Sequence, residues 1–284
     1  MNIDSHQHFW HYDPVRDAWI TEAMALLKRD FLPAQLAGEL TANAMDASIA
    51  VQADQSENET MFLLDLAEAS TQIVGVVGWI DLLSSRLAER LEHFSHFPKL
   101  LGFRHIAQAE PDDRFLVSAN FVKGVAQLHR FGFTYDILIY PRQLSAAIDL
   151  VAQLPEQRFV IDHCAKPEIK AGKTEPWAKQ IRKIAQNRNV FCKVSGLVTE
   201  ADWKHWKADD FKPYFDTVFD AFGPDRLMFG SDWPVCLLGA TYRQVKQLIE
   251  DYLRNVSPAD KKKIFGGNAA RFYNLKPAQH GLAA

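Results

Sequence analysis

With 284 residues, the chain is long enough for two average domains or for one large barrel of alternating strands and helices, and can bury a sizeable core either way. Its 32 Lys and Arg against 35 Asp and Glu give no basic face for nucleic acid and no polybasic segment for anionic lipid, so the expected partner is a small molecule, with no nucleic acid and no membrane. No apolar run approaches about 18 residues, the amino terminus reads as a strand and not as a secretory leader, and the odd set Cys164, Cys192 and Cys236 contains no close pair. The expectation is a soluble, cytoplasmic protein.

Short β-branched or aromatic runs recur at 2–9, 47–53, 73–81, 100–107, 133–140, 159–165, 190–198 and 227–233. In the first, Ile3-Asp4-Ser5-His6-Gln7-His8-Phe9-Trp10, two imidazoles stand two residues apart, which in an extended chain aims both at one side, as a metal clamp requires. A helix would set them roughly 200° apart. Gly75-Val76-Val77-Gly78-Trp79-Ile80 is apolar at consecutive positions, the habit of parallel strands covered on both faces. Pro141 is placed to start a helix, in which Leu144, Ala147, Ile148 and Val151 form a core-facing stripe; Val245, Leu248, Ile249 and Tyr252 repeat that spacing. Segment 199–212, with Trp203 and Trp206, reads either as a lid over a mouth or as packed helix. Lys261, Lys262 and Lys263 read as a solvated helix face, and His93, His96, His129, His205 and His280 as exposed singles.

Eight strand and helix units predict an α/β fold, a single-domain (β/α)8 TIM barrel over 1–275 with a frayed tail at 276–284. The competing open doubly wound sheet lacks its Gly-x-Gly-x-x-Gly phosphate grip. In such a barrel the active site collects at the carboxyl ends of the strands. The polar residues fall there: His6 and His8, Arg104-His105, Asp162-His163, Lys193-Val194-Ser195-Gly196, and Gly230-Ser231-Asp232-Trp233-Pro234. Charged and imidazole groups at the ends of apolar runs are costly unless they share a cavity, so convergence is expected.

The His6-x-His8 pair, His163 and the Asp232 run resemble the amidohydrolase superfamily. Gly102-Phe103-Arg104-His105, Asp162-His163-Cys164-Ala165-Lys166-Pro167, Cys192-Lys193-Val194-Ser195-Gly196-Leu197 and Gly266-Gly267-Asn268-Ala269-Ala270-Arg271 narrow the resemblance to its amidohydrolase-2 branch, from residue 2 to about 275. That branch contains sugar lactonases opening L-fucono-1,4-lactone and L-rhamnono-lactone, so the resemblance implies a hydrolase acting on the ring ester of an aldonic acid. Many members of the superfamily hold two metals with a strand-five histidine and a strand-four lysine. Here strand five reads Thr134-Tyr135-Asp136-Ile137 and strand four offers Arg104-His105, which leaves His6, His8, Asp232 and His163 as ligands for one Zn2+ with an open position. Some members of the branch work without metal.

Opening a lactone needs a polarised carbonyl, a deprotonated water and a stabilised oxyanion. Asp232 is read as general base and His163 as a ligand or neutral donor. Arg104 is read as holding substrate hydroxyls or as tying loops together, with His105 assisting. Lys166 and Lys193 are read as further substrate contacts, one of which pairs instead with Asp162. Trp10 and Trp233 are read as cover for the apolar face of a sugar, Trp79 as core, and Cys192 as a buried inert thiol. The rivals are a metal-dependent decarboxylase on the same barrel and a sugar-acid binding protein without turnover.

Overall fold

The computed structural model describes residues 1–275; the expected tail 276–284 lies outside them. Eight strands run β1 Ile3–Gln7, β2 Ala47–Val51, β3 Ile73–Gly78, β4 Leu100–His105, β5 Thr134–Ile137, β6 Phe159–Ile161, β7 Val190–Val194 and β8 Leu227–Phe229. Each is followed by a helix: α1 Pro33–Ala42, α2 Glu57–Ala69, α3 Leu87–Ser95, α4 Ala119–Leu128, α5 Leu144–Gln153, α6 Trp177–Ile184, α7 Ala208–Phe222 and α8 Tyr242–Tyr252, with short α9 Pro258–Lys262 and α10 Asn268–Phe272 after the last. Each strand pairs in parallel with the next. Between β8 and β1 the ring is drawn together by His8 N donating to the Trp233 carbonyl at 2.7 Å and Asp232 N donating to the His6 carbonyl at 2.8 Å. The fold is a single-domain (β/α)8 barrel.

Strand alternation divides the core into two layers. Tyr135, Ile161, Val190, Val194 and Phe229 point outward and pack beneath the helices. Ile3, Ile49, Val51, Val74, Val160 and Met228 point inward and fill the lumen together with Phe272 and Tyr273 at the end of α10, which plugs the barrel from below. The stripe Leu144, Ala147, Ile148 and Val151 is buried on α5, entered through a 3-10 turn at Pro141–Gln143, and Val245, Leu248 and Ile249 are buried on α8, whose N-terminus Thr241 caps.

The strands end earlier than their apolar runs suggest, and in β6 and β8 the backbone shows why. The stretches 159–165 and 227–233 leave the ladder at Ile161 and Phe229 because the backbone turns left-handed at His163, Cys164, Ala165 and Lys166 (φ 53°, 52°, 57° and 49°) and again at Asp232 (φ 58°). For residues with a Cβ this costs roughly 1–2 kcal/mol each, and it persists where surrounding contacts over-determine it. Segment 199–212 is packed against its neighbours: the Trp206 indole donates to the Gly239 carbonyl at 2.7 Å, the Trp203 indole to Thr199 at 2.8 Å, and helix begins only at Ala208. All three cysteines are free and buried. No helix of the described residues is long and apolar enough to cross a membrane.

Candidate active site

The site begins with an irregularity in β1. Asp4 pairs with Ser48 and Gln7 with Ala50, so β1 carries one residue more than β2 over this stretch. The bulge shifts the phase of the strand, and His6 as well as Ile3 faces the lumen although they are three apart. Asp4 is left outside, where its carboxylate accepts from His6 N at 3.1 Å, Ser231 N at 2.9 Å and the Tyr242 hydroxyl at 3.0 Å. It thereby ties the His6 strand to the loop that carries Asp232, and burial pushes its pKa up to about 6.

Three strand ends meet above. His6 Nε2 lies 3.2 Å from His8 Nε2; Asp232 Oδ1 lies 3.4 Å from His8 Nε2, 3.8 Å from His163 Nε2 and 3.9 Å from His6 Nε2. The His6 and His163 rings are 4.4 Å apart. Two glycines make this approach possible. A Cβ on Gly196, itself left-handed at φ 63°, would stand 2.4 Å from His163 Nδ1, and one on Gly230 would stand 2.7 Å from the His6 Cβ. His163 Nδ1 is 2.9 Å from the Ser195 hydroxyl. Burial favours the uncharged imidazole and takes the His163 pKa down to about 4, and it holds His6 well below its ordinary value. Burial alone would raise Asp232, but the imidazoles of His163, His8 and His6 outweigh it and keep the carboxylate below its usual range.

Beneath lies a buried layer of charge. Asp162 is its hub, with Arg104 Nη1 at 3.0 Å, Lys193 Nζ at 3.1 Å and His6 Nδ1 at 3.3 Å. Lys193 Nζ is 2.5 Å from Asp136 Oδ2, which also accepts from the Tyr273 hydroxyl at 2.8 Å. Two carboxylates thus face two cations, all buried, with only Arg104 bordering the cavity above, which is tolerable because each charge is paired. Burial still drives Asp136 up to about 6, while Lys193, His6 and Arg104 overcome burial at Asp162 and hold it well down.

Above the imidazoles opens a cavity of about 300 Å³, lined by His8, Arg104, His163, Lys166 and Asp232 on its polar side and by Trp10, Trp19 and Leu138 among its apolar walls. The candidate residues divide accordingly. His6, His8, His163 and Asp232 come together, and Arg104, Lys166 and Trp10 reach the cavity. Arg104 also ties loops, through Asp162 and the Gln52 carbonyl; Lys166 leans on Glu200 at 3.4 Å and over the Tyr140 ring. Lys193, expected to touch substrate, is consumed by the charge layer below. His105 is 2.7 Å from Glu110 and stacked on Phe115, and Trp233 packs edge-on against Phe9 and Phe31, so neither is on the cavity wall. Trp19, Gln55 and Gln108 line the cavity without having stood out in the sequence, since they come from turns, bends and a three-residue 3-10 helix too short to carry a periodicity. Asp162, weighed there only as a partner for a lysine, pairs with both Arg104 and Lys193.

A divalent cation fits this donor set. The Val51 carbonyl, 2.7 Å from His8 Nδ1, can only accept, so Nδ1 carries a proton and the neutral form of the ring has Nε2 bare. Bare Nε2 and the Asp232 carboxylate oxygen then face each other at 3.4 Å, two acceptors that repel unless a proton or cation lies between them. His6, His8 and Asp232 bring one ligand atom each within 4.8 Å of one another. Two imidazoles and a carboxylate, with His163 adjacent, suit a zinc-type ion that keeps an open position.

Fold and site together define a metal-capable hydrolase barrel of the amidohydrolase kind. The chain belongs to the amidohydrolase family, whose model matches residues 3–275. It is 43% identical to the L-fucono-1,5-lactonase of Burkholderia multivorans, over 99% of both chains, and 33% identical to the L-fucono-1,5-lactonase of Burkholderia ambifaria, over 97% of this chain and 96% of that one. A crystal structure of an amidohydrolase from Burkholderia multivorans with bound zinc superposes with a TM-score of 0.92 at 43% identity, over 97% of this chain and 100% of that one.

Proposed function

We propose that this protein is a sugar lactonase that hydrolyses the ring ester of a six-carbon aldonic acid of the L-fucono-1,5-lactone type, with one Zn2+ held by His6, His8 and Asp232 beside His163. The names of the relatives at 43% and 33% identity favour a six-membered ring over that of L-fucono-1,4-lactone, one of the two substrates the resemblance brought in. The observation that carries the reading is the position of Asp232: an ionised carboxylate among three imidazoles, on the wall of a cavity of about 300 Å³.

Asp232 accepts a proton from the attacking water as its oxygen bonds to the carbonyl carbon. The bond between that carbon and the ring oxygen then breaks, and Asp232 returns the proton to the departing oxygen, leaving a hydroxy acid. His163, uncharged at neutral pH, donates from Nε2 to the carbonyl oxygen while the Ser195 hydroxyl steadies Nδ1. Arg104 and Lys166 bind substrate hydroxyls and then the product carboxylate, and Trp10 covers the apolar face of the ring. A bound zinc would supply Lewis acidity, lowering the pKa of a water or polarising the carbonyl.

The test is a pH-indicator screen of five- and six-membered aldonolactones, each with and without chelator, beside a measurement of CO2 release from aromatic acids. Acid release from a six-membered 6-deoxyhexonolactone is expected. Release of CO2 without acid release would establish the decarboxylase rival, and silence on all substrates would leave a binding protein.

A further inference from the structure

His6 is the one ring at the site whose two nitrogens each face both a donor and an acceptor. Nδ1 stands 3.2 Å from Lys193 Nζ, which only donates, and 3.3 Å from Asp162 Oδ1, which only accepts. Nε2 stands 3.3 Å from Arg104 Nη1, a donor, and 3.2 Å from His8 Nε2, made an acceptor by the Val51 carbonyl. A neutral imidazole carries one proton, so two arrangements compete. With the proton on Nε2, a continuous chain forms: Lys193 donates to His6 Nδ1, His6 Nε2 donates to His8 Nε2, and His8 Nδ1 donates to Val51. With the proton on Nδ1, His6 turns it toward Asp162 Oδ1 at 3.3 Å, an oxygen with no hydrogen-bond donor of good geometry as the side chains stand. Nε2 is then bare, accepts from Arg104 Nη1 at 3.3 Å and lies 3.2 Å from bare His8 Nε2, a meeting of lone pairs that a cation bound between the rings relieves.

We infer that Lys193 and Asp162 are positioning residues that give His6 two tautomers, and that a divalent cation at the site exchanges one for the other. The inference rests on the zinc reading above. In the exchange the Nε2–H bond breaks and an Nδ1–H bond forms, the ring holds one proton before and after, and Lys193 keeps all three of its own while turning fully to Asp136 and Asp162. His8 keeps its proton on Nδ1 throughout. Asp162 in this way acts on the ion it does not touch, by accepting from the far nitrogen of a ligand, the usual means of orienting a metal-bound imidazole.

The experiment is nitrogen-15 NMR of histidine-labelled full-length protein, first treated with chelator and then titrated with Zn2+. Among the rings whose signals respond to zinc, one should move its proton from Nε2 to Nδ1 and one should keep it on Nδ1, a pattern readable without residue assignment and without any variant that might fail to fold. A zinc response in which no ring moves its proton from Nε2 to Nδ1 overturns the inference while leaving the zinc site standing. Absence of any histidine response to zinc removes the zinc reading and this inference with it.

Discussion

His8 Nδ1 lies 2.7 Å from the carbonyl oxygen of Val51, and that contact between neighbouring strands decides which nitrogen of His8 faces Asp232. Replacing His6 and His8 together by Ala removes two of the proposed ligands and the ring so oriented. Zinc content by elemental analysis should fall from about one ion per chain to background. Unchanged content would place the ion elsewhere.

Asp232→Asn keeps the shape of the side chain and removes the proton acceptor. Turnover should drop by at least about a hundredfold with the circular dichroism spectrum unaltered, the scale of general-base loss. Near-normal hydrolysis would reject the assigned role.

Trp19 is 41% exposed and meets the buried Trp10 edge-on at 6.0 Å, so it can be truncated without opening the core. Trp19→Ala should raise KM up to about tenfold with kcat little changed, the signature of a wall that binds substrate and transition state alike. An equal fall in kcat would give Trp19 a part in the chemistry.

Lys193→Ala strips Asp136 and Asp162 of their shared cation where all three side chains are fully buried. Unfolding by urea should show a loss of about 3–5 kcal/mol, as for a broken buried ion pair. A loss under about 1 kcal/mol would mean that the two carboxylates take up protons or other partners at little cost.

Glu59, whose carboxylate accepts from Ala53 N at 3.1 Å, has its pKa pushed by burial from 4.5 to about 7. Below pH 4.5 it is protonated in both folded and unfolded chains. As pH rises from there to about 7 the unfolded chain releases the proton and the folded one retains it, so the native state binds more protons and loses stability, by on the order of 3 kcal/mol in total. Glu59→Gln should flatten that decline; urea midpoints of wild type and variant at pH 5 and pH 8 would test it, and parallel slopes would refute it.

Much of the barrel is legible from side-chain chemistry along the chain. Runs such as Val74 to Val77 and Phe159 to Ile161 are apolar at consecutive positions because both faces of each strand are covered, and the spacing of Leu144, Ala147, Ile148 and Val151 follows from the helical period alone. His6, His8, His163 and Asp232 stand out because polar groups closing apolar runs must share a cavity. The fates of Lys193, His105 and Trp233 depend on neighbours supplied from elsewhere in the chain: Asp136 and Asp162, Glu110 and Phe115, and Phe9 and Phe31.

Alternation and residue type, which are local, therefore determined the fold and the four residues at its centre. The bulge in β1 that turns His6 inward, the left-handed turn that swings His163 and Lys166 over the mouth, and the charge layer that draws Lys193 below it were decided only by the closed barrel. A ring of eight strands brings distant groups within about 4 Å, and at that range pairing of buried charges outweighs the preference of any one residue for its own segment.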